Sequence, residues 1–155
     1  MAQPTVAGEA HRASARYHRV SVAENDGYGR PPEGVPLHEC ITALSGHGAM
    51  GNHWINGDLV SDAVLDAGSP EVLVYEPTRN GRLRLVALEY VVFADVWDTA
   101  HPGVWPELFG RPLTLVEAPN RYELPAFYEI HAWIWKDNPH GRFADHNPRV
   151  SCDHA

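Results

Sequence analysis

The sequence predicts a mainly β fold: a small antiparallel β-barrel or sandwich with one or two peripheral helices. Three observations carry that expectation. Thirteen glycines and thirteen prolines in 155 residues supply many turns and leave little room for long helices. Several segments alternate apolar with polar residues at the two-residue period of a strand. Between two of them stands Asn80-Gly81, a strong hairpin signal.

Taken in order, Met1 to Ala10 is small and polar and reads as an unstructured lead. From His11 to Asn25 the positions of Ala15, Tyr17, His18 and Val22 approximate one helical stripe, which Asp26-Gly27 ends. Gly29 to Pro36 is too rich in proline and glycine for regular structure. Residues 1–36 are therefore an N-terminal arm with a possible helix, and 37–155 a single β-rich domain. In that domain Asn52 to Asn56 is a strand entered through the glycines of Gly46 to Gly51, and Ser61 to Ala67 is a short helix or loop. Glu71 to Tyr75 and Leu83 to Phe93 are the hairpin strands. A two-residue Asn80-Gly81 loop would set Glu89 opposite Val72, on one face with Ala87 and Val91. A helical turn within Asp95 to Pro106 and a strand from Leu113 to Glu117 come next, then the Pro119-Asn120 turn. Alternation over Phe127 to Trp135 puts Phe127, Glu129, His131, Trp133 and Trp135 on one face, and the tail from Lys136 is irregular.

Composition excludes some functions. Twenty acidic against twelve basic residues give a formal charge of −8, with no broad cationic surface for phosphates, so nucleic acid is not an expected partner. No apolar run reaches membrane-spanning length and the start lacks a basic-then-apolar leader, so the default expectation is a cytoplasmic chain that does not engage membrane. A homo-oligomer is compatible with the sequence. Cys40 and Cys152 are open to two states, a disulfide closing most of the domain or two reduced thiols.

The chemistry-bearing residues sit on the strands. His53, Glu89, Glu129 and His131 each stand among apolar neighbours, where an ionisable group needs a partner, a metal or a proton shift. Two imidazoles and a carboxylate, His53, Glu89 and His131, make the three-ligand set of an open site for a divalent transition metal (Fe, Zn or Cu). Glu129 shares a face with His131 and would act as catalytic base or as fourth ligand. Trp54, Tyr75, Tyr90 and Trp133 would wall a pocket for a small organic substrate or ligand. His47 is a loop histidine near the pocket mouth, and His140, Asp145 and His146 are expected to face solvent. The spaced glycines of Gly46 to Gly51 do not make a dinucleotide fingerprint, since no adequate strand precedes and no helix follows.

Taken together, Gly48-Ala49-Met50-Gly51-Asn52-His53-Trp54-Ile55-Asn56, Pro70-Glu71-Val72-Leu73-Val74-Tyr75-Glu76-Pro77, Leu88-Glu89-Tyr90-Val91, Tyr128-Glu129-Ile130-His131-Ala132-Trp133-Ile134-Trp135 and Asn147-Pro148-Arg149-Val150-Ser151-Cys152 resemble a widespread group of uncharacterised bacterial proteins. The resemblance implies no activity or residue roles. The set of strand-borne histidines and a glutamate is similar to that of cupins by architectural analogy alone, because the paired His-x-His of cupins is replaced by Glu129-Ile130-His131. The expected function is that of a mononuclear metal-dependent enzyme on a small organic substrate, with oxidative chemistry preferred. The alternatives are a metal-free cyclase or isomerase using a buried glutamate, and a non-catalytic small-ligand-binding protein.

Overall fold

The computed structural model describes residues 5–155. Its centre is a six-stranded antiparallel sheet curled into a half-barrel, so the mainly β expectation holds. The strands are β1 (Ile41–Thr42), β2 (Ala49–Ile55), β3 (Val72–Pro77), β4 (Leu83–Phe93), β5 (Glu107–Leu108), β6 (Arg111–Pro112), β7 (Thr114–Val116) and β8 (Phe127–Ala132). Sheet order is β1-β2-β3-β4-β8-β7, and β5 pairs with β6 separately. The helices are short: α1 (Val6–Ser14), α2 (Val20–Asn25), α3 (Gly57–Val60) and α4 (Ala94–Ala100).

The hairpin of β3 and β4 sets the faces of the sheet. Val72 pairs with Glu89 as expected, but not through a two-residue loop. Pro77 pairs with Leu83, so the loop is the five residues Thr78 to Arg82, with Asn80 and Gly81 both left-handed at φ 65° and 70°. That start would leave Glu89 one residue out of register. A bulge corrects it: Val74 pairs with Ala87 and Tyr75 with Leu85, leaving Val86 as the extra residue. Val86 and Ala87 consequently join one apolar cluster, while Leu85 and Leu88 join the other. The Val86 carbonyl accepts a hydrogen bond from the backbone N–H of Trp135 at 3.2 Å.

One face of the sheet carries Trp54, Leu73, Tyr75, Leu88, Tyr90, Tyr128 and Ile130 and forms the larger core. The N-terminal segment covers it and is part of that core rather than an arm, since Ala10, Tyr17, Ala23 and Tyr28 are all buried there. Tyr75 donates its hydroxyl to the Tyr17 carbonyl, Tyr28 to that of Pro70, and Trp135 its indole N–H to Ser14. The helix also begins earlier than the sequence suggested, because the Thr5 hydroxyl caps it by accepting from the Gly8 N–H at 2.9 Å. Met1 to Pro4, part of the expected unstructured lead, lie outside the described residues. The expected single helix from His11 is split, with a 3-10 turn over Ala15–His18 separating α1 from α2.

The tail returns across the other face. Asn147 exchanges both backbone hydrogen bonds with Ala49, at 3.0 and 3.2 Å. Gly48 makes this approach possible: its φ is +84°, and a Cβ there would run into the Asn147 carbonyl. Farther on, Glu76 accepts from the Ser151 N–H and pairs with Lys136, and Cys152 forms a disulfide with Cys40, 112 residues away in sequence. Disulfides belong mostly to oxidising compartments, so this bond lends the cytoplasmic default no support. No helix among the described residues is long and apolar enough to cross a membrane.

Candidate metal centre

Strand parity puts His53, Val74, Ala87, Val72, Glu89 and His131 on the face opposite the larger core. Glu89 is the direct cross-strand partner of both Val72 and His131, and His53 is the partner of Val74. Between the histidine of β2 and the glutamate of β4, strand β3 presents only the compact side chains of Val72 and Val74, over which the longer side chains of a curled sheet meet. Glu89 Oε1 stands 3.5 Å from His53 Nε2, and Glu89 Oε2 stands 3.5 Å from His131 Nε2. All three residues are buried. The sequence-predicted metal ligands thus converge, and they form one group of donor atoms within 4.8 Å of one another.

The spacing is informative. At 3.5 Å these approaches are poor hydrogen bonds, and His131 Nε2 is buried without a partner. Two donors about 2.1 Å from one ion at a tetrahedral angle would stand about 3.4 Å apart. Glu89 turns one oxygen to each imidazole, as a carboxylate does when both oxygens take part in one site.

Electrostatics follow from burial and from the crowding of carboxylates. Burial first, and then the neighbouring His131, lower the His53 pKa to about 3, so its imidazole is neutral and its nitrogen free to coordinate. Burial raises Glu89 to about 7, with His131 opposing and Glu129 and Asp145 adding to the rise. For His131 burial acts downward, but Glu89, Glu129 and Asp145 outweigh it and hold the imidazole well above its ordinary value. Glu129 is raised chiefly by burial.

An apolar cavity of about 230 Å³ adjoins the group. His53 and Glu89 contribute to its wall, with Val72, Val91, Phe93 and Phe127 among the apolar residues and Tyr122 and Ser61 the other polar ones. The expected aromatic wall is corrected here. Trp54, Tyr75 and Tyr90 point to the opposite face and pack in the larger core, where Tyr90 donates to the Ala67 carbonyl and Trp54 meets Tyr75 edge-on. Trp133 keeps the site's side of the sheet but packs with Val74, Ala87 and Val150, its indole N–H donating to the Ala144 carbonyl. Strand β8 ends at Ala132, so Trp135 leaves the expected face and stacks on His11.

Two residues escaped the sequence argument. Tyr122 lines the cavity from a loop that no periodicity marks. Asp145, expected in solvent with His140 and His146, is half exposed as that implies, but its Oδ1 also stands 3.5 Å from His131 Nδ1, on the far side of that ring from Glu89. Glu129 Oε2 lies 2.9 Å from the same nitrogen. His47, His140 and His146 line a second cavity beside Asp145. Comparison of the chain with protein-family models, with curated proteins and with solved structures found no match.

Proposed function

We propose that this chain is a metal-dependent enzyme acting on a small organic substrate, with one divalent transition-metal ion held by His53, Glu89 and His131. The observation that carries the proposal is the spacing of three buried donors at ion-sharing rather than hydrogen-bonding distance. Two imidazoles and one carboxylate leave coordination positions open, and an ion held there lies beside the apolar cavity. That ligand set suits Fe(II), which would supply oxidative chemistry with dioxygen, and this is preferred over Zn, which would polarise a carbonyl or activate water.

The chain's own residues supply the rest. A cavity of about 230 Å³ is smaller than the roughly 300–1,000 Å³ of pockets for drug-sized ligands, and its walls favour an apolar substrate with few polar groups. His53 and Glu89 are the polar groups such a substrate meets first. Glu129 does not line the cavity. It stands beside His131 Nδ1, away from the cavity in which a substrate would sit.

A metal-free reading has one observation in its favour: a cavity-lining carboxylate, Glu89, whose pKa of about 7 fits proton transfer in a cyclase or isomerase. Elemental analysis separates the two. Untagged protein incubated anaerobically with Fe(II), then desalted, is expected to retain at least one equivalent of metal, and His53→Ala to retain one equivalent fewer. Absence of bound metal after separate trials with Fe(II), Zn, Cu and Mn would reject the metal enzyme.

A further inference from the structure

The inner group uses only one nitrogen of His131. The other, Nδ1, faces Glu129 Oε2 at 2.9 Å and Asp145 Oδ1 at 3.5 Å. The Glu129 approach has the distance of a hydrogen bond but not its angle, the Asp145 approach is longer, and both Nδ1 and Glu129 Oε2 are buried without a well-aligned partner. His131 and Glu129 are only 1% and 4% exposed. A buried polar atom left unpaired costs about 1–3 kcal/mol, and a charged one more. Donors at right angles around one ion stand about 3.0 Å apart and tetrahedral ones about 3.4 Å, the range these two separations span.

We propose that Glu129, His131 through Nδ1, and Asp145 form a second, outer site for a divalent transition-metal ion. The site is approached from the second cavity, about 550 Å³, whose wall holds Asp145 with His47, His140 and His146. His146 Nε2 is itself buried and unpartnered, and its side chain lines the same cavity. The outer site stands whether or not the inner one is filled. With both filled, the His131 ring bridges two ions, having released its N–H protons to solvent.

Charge favours this arrangement. Among the described residues, the ion-pair partners of Glu89, Glu129 and Asp145 are histidines alone, with no lysine or arginine. Three carboxylates and one bridging imidazolate carry four negative charges, which two divalent cations balance. A single inner cation would leave Glu129 and Asp145 crowded on one imidazole without hydrogen bonds of good geometry.

The test counts metal. Untagged protein stripped with chelator is titrated with Zn²⁺, desalted and analysed, beside Asp145→Asn and His53→Ala. The Asp145 side chain is 51% exposed, so its replacement leaves the core intact, and circular dichroism checks this. Two tight equivalents are expected in the native protein and one in each variant. Loading with Cu²⁺ should give a spin-coupled pair with a weakened resonance signal, which Asp145→Asn converts to that of one isolated ion. One native equivalent, kept by Asp145→Asn and lost by His53→Ala, overturns the outer site and leaves the inner one standing. One equivalent lost by Asp145→Asn and kept by His53→Ala upholds the outer site and rejects the inner. Two equivalents unchanged in Asp145→Asn, or none in the native protein, also overturn the proposal.

Discussion

Glu89 and His131 are direct partners across the β4–β8 ladder, and their side chains meet with Oε2 3.5 Å from Nε2. Register alone therefore couples the two: any slip of β8 by one residue would send His131 to the aromatic core. The pairing also makes Glu89 the group on which both histidines depend, since its other oxygen faces His53.

Glu89→Gln should lower inner-site metal affinity at least tenfold while the protein remains folded, because the amide keeps the shape but not the charge. In the native protein, affinity should rise with pH through about 7. Ligation needs Glu89 ionised, and Glu89 is held protonated below about 7; it also needs His131 Nε2 free, and His131, held protonated well above its ordinary value, carries the rise to higher pH. Isothermal titration with Zn²⁺ at pH 6 and pH 8 checks the direction, and equal affinities at the two would count against these ligands.

How much of this the sequence disclosed depends on range. Parity is local, so the alternation around His53, Glu89 and His131 was enough to place each among apolar strand neighbours, and the sheet brings the three to one face. The position of Glu89 opposite Val72 was reached by an incomplete route, because the five-residue loop and the Val86 bulge shift register in compensating ways that alternation does not reveal. The aromatic pocket failed for a different reason. Trp54, Tyr75 and Tyr90 alternate as convincingly as His53, Glu89 and His131, but which face receives the N-terminal helices is a tertiary matter. Asp145 was invisible because its place depends on where the tail recrosses β2, through Asn147 and Ala49.

Glu71 tests buried charge away from the candidate ligands. It is 1% exposed, its carboxylate accepts from the Val91 N–H at 3.2 Å, and burial raises its pKa to about 8 against an ordinary 4.5. Between those values the folded chain keeps a proton that the unfolded chain has released. Its contribution is thus complete below about pH 4.5 and is lost as pH rises toward 8, by at most about 1.4 kcal/mol per unit. Glu71→Gln should match the native protein near pH 4 and exceed its stability at pH 8 to 9. Urea unfolding at both ends of the range measures this, and a difference independent of pH would rule out the raised carboxyl.

The disulfide closes a loop of 112 residues between Cys40 and Cys152. In the chain-entropy account such a loop stabilises by about 4–5 kcal/mol. Replacing both cysteines with serine should lower the urea midpoint substantially and raise the slope, because the unlinked denatured chain is less compact and exposes more surface. An unchanged midpoint would mean that the tail is held without the covalent link, by the Glu76 contacts to Lys136 and Ser151.

Gly48→Ala addresses how the tail is brought to His131. Left-handed φ at +84° is unfavourable for alanine, and the new Cβ would strike the Asn147 carbonyl, a backbone atom with no freedom to turn aside. Either the Ala49–Asn147 pairing breaks or β2 shifts. Asp145 lies two residues before Asn147, so the first response displaces it from His131 Nδ1 while His53, later on β2 and paired with Val74, keeps its place. The variant should lose about 1–3 kcal/mol of stability and the outer equivalent of metal, retaining the inner one. Calorimetric unfolding together with zinc stoichiometry reads both effects. Loss of the inner equivalent instead would show that Gly48 governs the placing of β2 rather than the return of the tail.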